Sequence, residues 1–260
     1  MSVYQNLFDV AGKVVVVTGG SRGIGLGIAE GFVHAGAKVY VCSRKAADCE
    51  KVAAELSQYG ECVALAADLG SVEGCRTFAA AIAEREDHID VLVNNAGNIW
   101  VEKLADYPES GWDKVFDLNV KGVFFLIQAL LPLITAGADA NDPGRIVNIG
   151  SIDAFHVPDH ETYAYSASKA AMHHLTRHLA AQLAASDITV NIIAPGRYRS
   201  QMLERAIELE GADDMLAPIP LKRFAEGADL AGAAIYLSSR AGSFVTGTVL
   251  PVDGGHATTL

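Results

Sequence analysis

Short runs of β-branched and other apolar residues alternate with longer amphipathic stretches along almost the whole chain. Seven runs are strand candidates: "KVVVVT" (13–18), "KVYVC" (38–42), "CVALAA" (62–67), "IDVLVN" (89–94), "RIVNIG" (145–150), "ITVNII" (188–193) and "TVLPV" (248–252). Most are continuously apolar rather than alternating, the pattern of a strand covered on both faces. Helical periodicity fills most of the gaps, as in Ile24–Ala35, Ala46–Tyr59, Val72–Glu86, Trp112–Ile134 and Tyr163–Ala185. Strand–helix repetition of this kind predicts an α/β fold with a doubly wound, seven-stranded parallel sheet. Ligands on such a sheet sit beyond the carboxyl ends of the strands, so the residues just after each strand carry the functional information.

The chain has 260 residues, half of them apolar, which supplies a sizeable core for a single domain over 1–260. No Ser/Pro linker divides it, and "GADANDPG" (137–144) reads as a surface loop before a strand. The longest apolar run, "GVFFLIQALLPLI" (122–134), is interrupted by Gln128 and Pro132 and falls short of the roughly 20 residues that span a bilayer. The start, "MSVYQNLFDVAGK", has no basic segment followed by an apolar one. A soluble, cytoplasmic protein with no membrane partner is expected. A formal charge of −11 opposes nucleic-acid phosphate. Cys42, Cys49, Cys62 and Cys75 lack CxxC spacing and are expected to be reduced, buried thiols, with no metal site.

"TGGSRGIG" (18–25) follows the first strand and opens the first helix. Glycines permit a tight turn there, and the free amides of the helix start attract a pyrophosphate. Gly19, Gly23 and Gly25 form G-x-x-x-G-x-G, and with them the chain resembles the short-chain dehydrogenase/reductase family, whose fingerprint this is. The implied fold is a Rossmann domain. The cofactor-binding candidates in this turn are Gly19, Ser21, Arg22, Gly23, Ile24 and Gly25. A carboxylate ending the second strand would bind a ribose 2′-hydroxyl and repel a 2′-phosphate. The sequence instead places Ser43 and Arg44 there, and a guanidinium suits phosphate oxygens, so NADP(H) is expected rather than NAD. The resemblance further assigns Asp68 and Leu69 to the adenine, and Asn95, Ala96 and Gly97 of "NNAG" to the cofactor's edge. It also brings in Pro195 and Gly196 of "APG", followed by Tyr198 and Ser200 where the family usually has an aliphatic residue and a threonine.

"TYAYSASKAA" (162–171) holds two tyrosines and a lysine. Helical positions four apart share a face, so Tyr165 and Lys169 point into one cleft, whereas Tyr163 is six residues from Lys169 and projects elsewhere. A phenol titrates near 10, and an adjacent ammonium is expected to lower that value toward the range useful for proton transfer. Ser151, ending the preceding strand, offers a hydrogen bond to a substrate carbonyl. The resemblance completes a catalytic set of Asn119, Ser151, Tyr165 and Lys169, with Asn119 holding a water in a proton relay and Lys169 also reaching the nicotinamide ribose. Tyr165 would protonate a ketone oxygen as hydride reaches its carbon, with no metal required. His174 and His178 are expected to be packed or at an interface; His156 and His160 lie in the loop before the catalytic helix.

Residues 197–223 read as a substrate flap, with Met202, Leu203, Ala206, Ile207 and Leu209 at helical spacing. "YGECVALAADL", "SGWDKVFDLNV", "LLPL", "RIVNIGSI" and "IAPGR" resemble the 3-oxoacyl reductases associated with rhamnolipid formation. That resemblance implies a 3-oxoacyl thioester substrate. An acyl carrier protein or coenzyme A carrier would meet the cluster Arg197, Arg199, Arg205, Lys222 and Arg223. A broad carbonyl reductase for small or cyclic ketones is the alternative, and a non-catalytic NADP sensor a third. "VDGG" (252–255) resembles the family's carboxyl-terminal segment, which implies a homotetramer, with a dimer next.

Overall fold

The structure is a computed structural model and describes residues 4–199 and 211–259. Seven parallel strands form one sheet: β1 (Val14–Thr18), β2 (Lys38–Ser43), β3 (Cys62–Ala66), β4 (Val91–Asn94), β5 (Gly144–Ile149), β6 (Ile188–Pro195) and β7 (Val249–Val252). Their order is β3-β2-β1-β4-β5-β6-β7. The order reverses between β1 and β4, and that switch point opens the crevice at the carboxyl edge. Helices cover both faces: α1 (Gly23–His34), α2 (Ala46–Leu56), α3 (Val72–Ala83), α4 (Glu109–Phe116), α5 (Val123–Ala136), α6 (Tyr163–Leu183), α7 (Ala212–Leu216) and α8 (Gly227–Ser238).

β1, β4, β5 and β6 are buried along their whole length, which is why they lack a polar face in the sequence. Alternate side chains feed two cores. Val16, Leu92, Ile146 and Ile192 pack against α3 and α5, and Val15, Val17, Val93 and Ile193 pack against α1 and α8. The four cysteines are buried free thiols. Burial pushes Cys62 and Cys75 up to about 11, so both stay protonated and inert.

Two expectations change. The stretch read as one helix over 112–134 is α4 and α5 joined through a π-helical segment, Asp117–Gly122. The interruptions at Gln128 and Pro132 do not break it: both are exposed and lie within α5. The continuous segment Glu109–Ala136 is therefore long and apolar enough, by length and composition, to cross a membrane. Here Leu126, Ile127, Leu130 and Ile134 bury their side chains in the core beneath the sheet.

Candidate active site

β1 delivers the chain into the glycine turn. Gly19 sits at φ +66° and Gly23 at φ +57°, left-handed values that glycine adopts without strain. Gly25 is constrained differently: a Cβ there would lie 2.3 Å from Asn95 Nδ2 and 2.4 Å from the Gly19 oxygen. Asn95 closes the turn by donating to the oxygens of Thr18 (2.9 Å) and Gly19 (3.2 Å). Thr18 answers by accepting from the Asn95 and Ala96 amides at 3.0 Å each. Asn95 thus braces the loop with its side chain. Gly97 lies beside Asn119, whose Oδ1 would be 3.3 Å from a Cβ at that position.

Over the turn lie an open face and two cations. Nothing stands within 4 Å of a Cβ placed on Gly23, and Ser21 and Ile24 are part-buried beside it. Arg22 and Arg44 are exposed, and their side chains take no hydrogen-bonding or ion-pair partner among the described residues. Ser43, at the end of β2, lies 2.9 Å from Cys49 Sγ. Asp68 is exposed and its carboxylate accepts from the Gly70 amide (3.1 Å), while Leu69 is buried in the core. This donor set fits a dinucleotide with an added phosphate on its adenosine ribose: free amides for the pyrophosphate, guanidinium groups for the phosphate and no carboxylate at the β2 tip.

Across the switch point stand the four catalytic candidates. Tyr165 and Lys169 share the inward face of α6, with the Lys169 nitrogen 5.5 Å from the Tyr165 ring centre. Tyr163 instead turns outward and donates to Glu161 (3.2 Å). Ser151 is buried at the end of β5, and its oxygen accepts from the Asp153 amide (3.1 Å). Asn119 is buried on the π segment. It donates to the Asn98 oxygen (2.9 Å) and to Ser168 Oγ (3.0 Å) and accepts from the Asn98 amide (2.8 Å). Both its amide hydrogens are thereby taken by protein groups. Ser168, absent from the candidates read off the sequence, donates in turn to the Tyr165 backbone carbonyl (2.7 Å) rather than to its phenol. Its place three residues after Tyr165, on the same face, was the available signal.

The electrostatics depart from expectation. Burial pushes the Tyr165 phenol up to about 12, Ser151 pulls it back and Asp153 adds to the rise. Burial also draws Lys169 down to about 8, against Asp153. The phenol is raised rather than lowered because burial outweighs the neighbouring cation, whose ammonium donates to the Ile149 oxygen at 2.7 Å. At neutral pH the tyrosine is therefore a protonated acid, the form that can give a proton to a developing alkoxide.

The remaining site residues are spread along the same edge. Pro195 ends β6, and Gly196 donates its amide to the Val252 oxygen (3.0 Å). Tyr198 folds back over the glycine turn and donates its hydroxyl to the Gly23 oxygen (3.2 Å). Ser200, Arg205 and the proposed flap residues 202–209 lie outside the described residues. The cationic cluster is thinner than its sequence suggests: Arg223 forms a two-bond pair with Asp229 (2.6 and 2.8 Å), and Lys222 donates to the Ala217 oxygen (2.7 Å). His174 and His178 are exposed on the outer face of α6 rather than packed within the chain. The neighbouring His173 is the buried one, held down to about 4 by burial.

Comparison with known proteins agrees with this layout. Over 249 residues the chain is 46% identical to the rhamnolipids biosynthesis 3-oxoacyl-[acyl-carrier-protein] reductase of Pseudomonas aeruginosa, covering 95% of this chain and 97% of that protein. It is 36% identical over 258 residues to the galactitol 2-dehydrogenase (L-tagatose-forming) of Cereibacter sphaeroides, covering 97% and 98%. The solved Pseudomonas aeruginosa RhlG/NADP active-site complex superposes with a TM-score of 0.94 at 45% identity, covering 97% of this chain and 99% of that one. The short chain dehydrogenase family matches residues 13–210, and with the glycine turn, Ser151, Tyr165 and Lys169 gathered at one sheet edge, the chain belongs to that family of oxidoreductases.

Proposed function

We propose that the protein reduces a ketone to a secondary alcohol with NADPH, and that its substrate is a 3-oxoacyl thioester. The observation that carries the reading is the Tyr165 phenol beside Ser151 and Lys169, directly across the switch point from a glycine turn flanked by two exposed arginines. Bound there, NADPH supplies the hydride that reduces the ketone carbon. The turn from Gly19 to Gly25 and the start of α1 hold the pyrophosphate, and Arg22 and Arg44 hold the ribose phosphate. Ser151 orients the ketone oxygen and Tyr165 gives it a proton. Lys169 places positive charge beneath the phenol as that proton leaves. Asn119, with its carboxamide spent on Asn98 and Ser168, fixes α6 against the loop after β4.

Substrate choice draws on the relative whose name carries 3-oxoacyl reduction, at 46% identity. The carrier is coenzyme A or an acyl carrier protein, and the commitment of Arg223 to Asp229 removes one contact for an acidic carrier. A broad reductase for small or cyclic ketones is the second reading, favoured by relatives such as the galactitol 2-dehydrogenase. NADPH consumption against 3-oxoacyl-CoA chains of increasing length, small diketones and cyclic ketones separates the two. Turnover of the thioesters is expected; activity confined to the other ketones establishes the second reading. The protein is further proposed to act in the cytoplasm as a homotetramer, supported by Trp112 (42% exposed) and Phe124 (38% exposed) on the outer side of helix 109–136. Light scattering at the mass of one chain would remove that assembly.

A further inference from the structure

Two histidines a hundred residues apart meet where the turn after β5 packs on the turn after β7. His156 and His256 have ring centres 5.2 Å apart. The Nδ1 atoms of both are buried and without a hydrogen-bonding partner among the described residues, and His256 is only 6% exposed. Buried polar atoms are nearly always satisfied, so two orphans on neighbouring rings need an explanation.

Both rings are held by rigid turns. The turn after β5 fixes His156: Ser151 accepts from the Asp153 amide, and the His156 amide donates to the Ile152 oxygen at 2.8 Å. Ser151 and His156 therefore share one short, tight element. Beyond β7, the Asp253 carboxylate accepts from the Gly255 and Ala257 amides (2.9 and 2.8 Å), which locks the residue between them, His256. This second turn packs on the far part of the proposed flap, since a Cβ on Gly254 would lie 2.9 Å from Ile219 and one on Gly255 would lie 3.0 Å from Pro220. The pair thus joins the turn that begins at Ser151 to the turn that packs on Ile219 and Pro220.

The chemistry of His256 is that of a neutral donor. Burial holds His256 below its ordinary value, and the Arg197 charge and His156 act in the same direction. A neutral imidazole presents one N–H and one lone pair, with the tautomer set by its partner. Asp253 is occupied by its turn amides, and the described residues contain no group of three His, Cys, Asp or Glu side chains placed to bind a metal. Arg197 faces the same region, as its influence on both Asp153 and His256 shows. What fits is an uncharged or weakly charged acceptor oxygen on a substrate whose reacting carbonyl is already on Ser151.

We infer that His156 and His256, with Arg197 beside them, form a subsite for the second oxygen of a 1,3-dicarbonyl substrate, the C1 carbonyl of a 3-oxoacyl group. The inference rests on the proposed ketone reduction and names the residues that distinguish a 3-oxoacyl compound from a plain ketone. A site built to hydrogen-bond a substrate oxygen discriminates against an analogue that lacks it, because its own polar atoms are then left unpaired.

The test compares kcat/KM for methyl acetoacetate with that for 2-pentanone, which keeps the methyl ketone and lacks the second carbonyl, in the parent and in His156→Phe and His256→Phe. Each variant is expected to lower the ratio of the two values by about 10-fold. His156→Gln and His256→Gln, which keep an amide donor, should retain more of the ratio, and His174→Ala, on the exposed face of α6, should keep all of it. An unchanged ratio in both Phe variants, or a fall shared equally by the two ketones, overturns the subsite. Calorimetric binding of methyl acetoacetate gives a readout independent of turnover. If the parent reduces neither ketone but binds the ester in a histidine-dependent way, the subsite stands and the reductase reading falls. If it reduces both ketones with equal efficiency, reduction stands and the subsite falls.

Discussion

The two halves of the carboxyl edge are built on different principles. Around β1 and β2 the backbone makes the site: amides, left-handed glycines and an Asn95 side chain spent entirely on holding the turn. Around β5 and α6 side chains make it: Ser151 and Lys169 are buried, Tyr165 and Lys169 titrate, and Asn119 and Ser168 tie the loop after β4 to the backbone of α6. The first half should be sensitive to shape and nearly indifferent to pH. The second should be sensitive to chemistry and to protonation. A dinucleotide needs only a fixed cradle, whereas proton delivery needs a group whose charge state is set by its surroundings.

The sharpest division comes from Tyr165→Phe, which keeps the ring and removes only the proton. A fall in kcat of about 10²- to 10⁴-fold is expected, with cofactor affinity retained by fluorescence titration. Turnover at the parent's rate would end the assignment of chemistry to this half. Next in size, Gly25→Ala drives a methyl into the Gly19 backbone and Asn95; a loss of about 2–3 kcal/mol in denaturant unfolding is expected, together with weakened NADPH binding. An alanine enzyme as stable as the parent would show that the cradle yields.

His173 tests the pH side of the comparison. Burial holds it down to about 4, while an unfolded histidine titrates near 6.5. As pH falls through that window the unfolded chain gains a proton that the folded chain refuses, so stability drops, by about 2 kcal/mol between pH 7 and pH 5. His173→Leu should flatten that slope in unfolding curves collected at the two pH values, and a slope identical to the parent's would place the sensitivity elsewhere. The smallest effect belongs to the first half: Arg44→Ala should weaken NADPH binding by about 10-fold while leaving NADH binding nearly unchanged. Equal losses for both cofactors would mean that this guanidinium does not read the ribose phosphate.

Much of this division is legible in the sequence. Strands covered on both faces are written as unbroken apolar runs, and the part-buried edge strands β3 and β7 keep apolar runs of their own, so all seven appear in the sequence within a few residues of their ends. The glycine turn and the Tyr165–Lys169 pair are local patterns, and local spacing carries their geometry. What escaped depends on contacts between distant segments. The Lys169 ammonium turns to the Ile149 oxygen, twenty residues back, and the phenol's burial then outweighs any help from that charge. Charge counting alone had assumed the reverse. Arg223 reads in the sequence as a cation for a carrier, but Asp229, on the next helix, accepts two hydrogen bonds from it. His156 and His256 are a hundred residues apart, and no periodicity relates them. Tyr198, read as a departure from the family pattern, is a cover on the glycine turn through Gly23.

The π segment at Asp117–Gly122 separates two angular registers within what is otherwise one rod. An α-helix advances about 100° per residue, so a surplus residue in a wider turn rotates everything downstream relative to everything upstream. The upstream piece aims Val115 inward and Trp112 outward, while the downstream piece sets Leu126 and Leu130 against the sheet. Asn119 occupies the offset itself. A helix without that offset would have to choose between seating its lower half in the core and bringing a carboxamide to the crevice; the displaced turn lets one continuous element satisfy both demands.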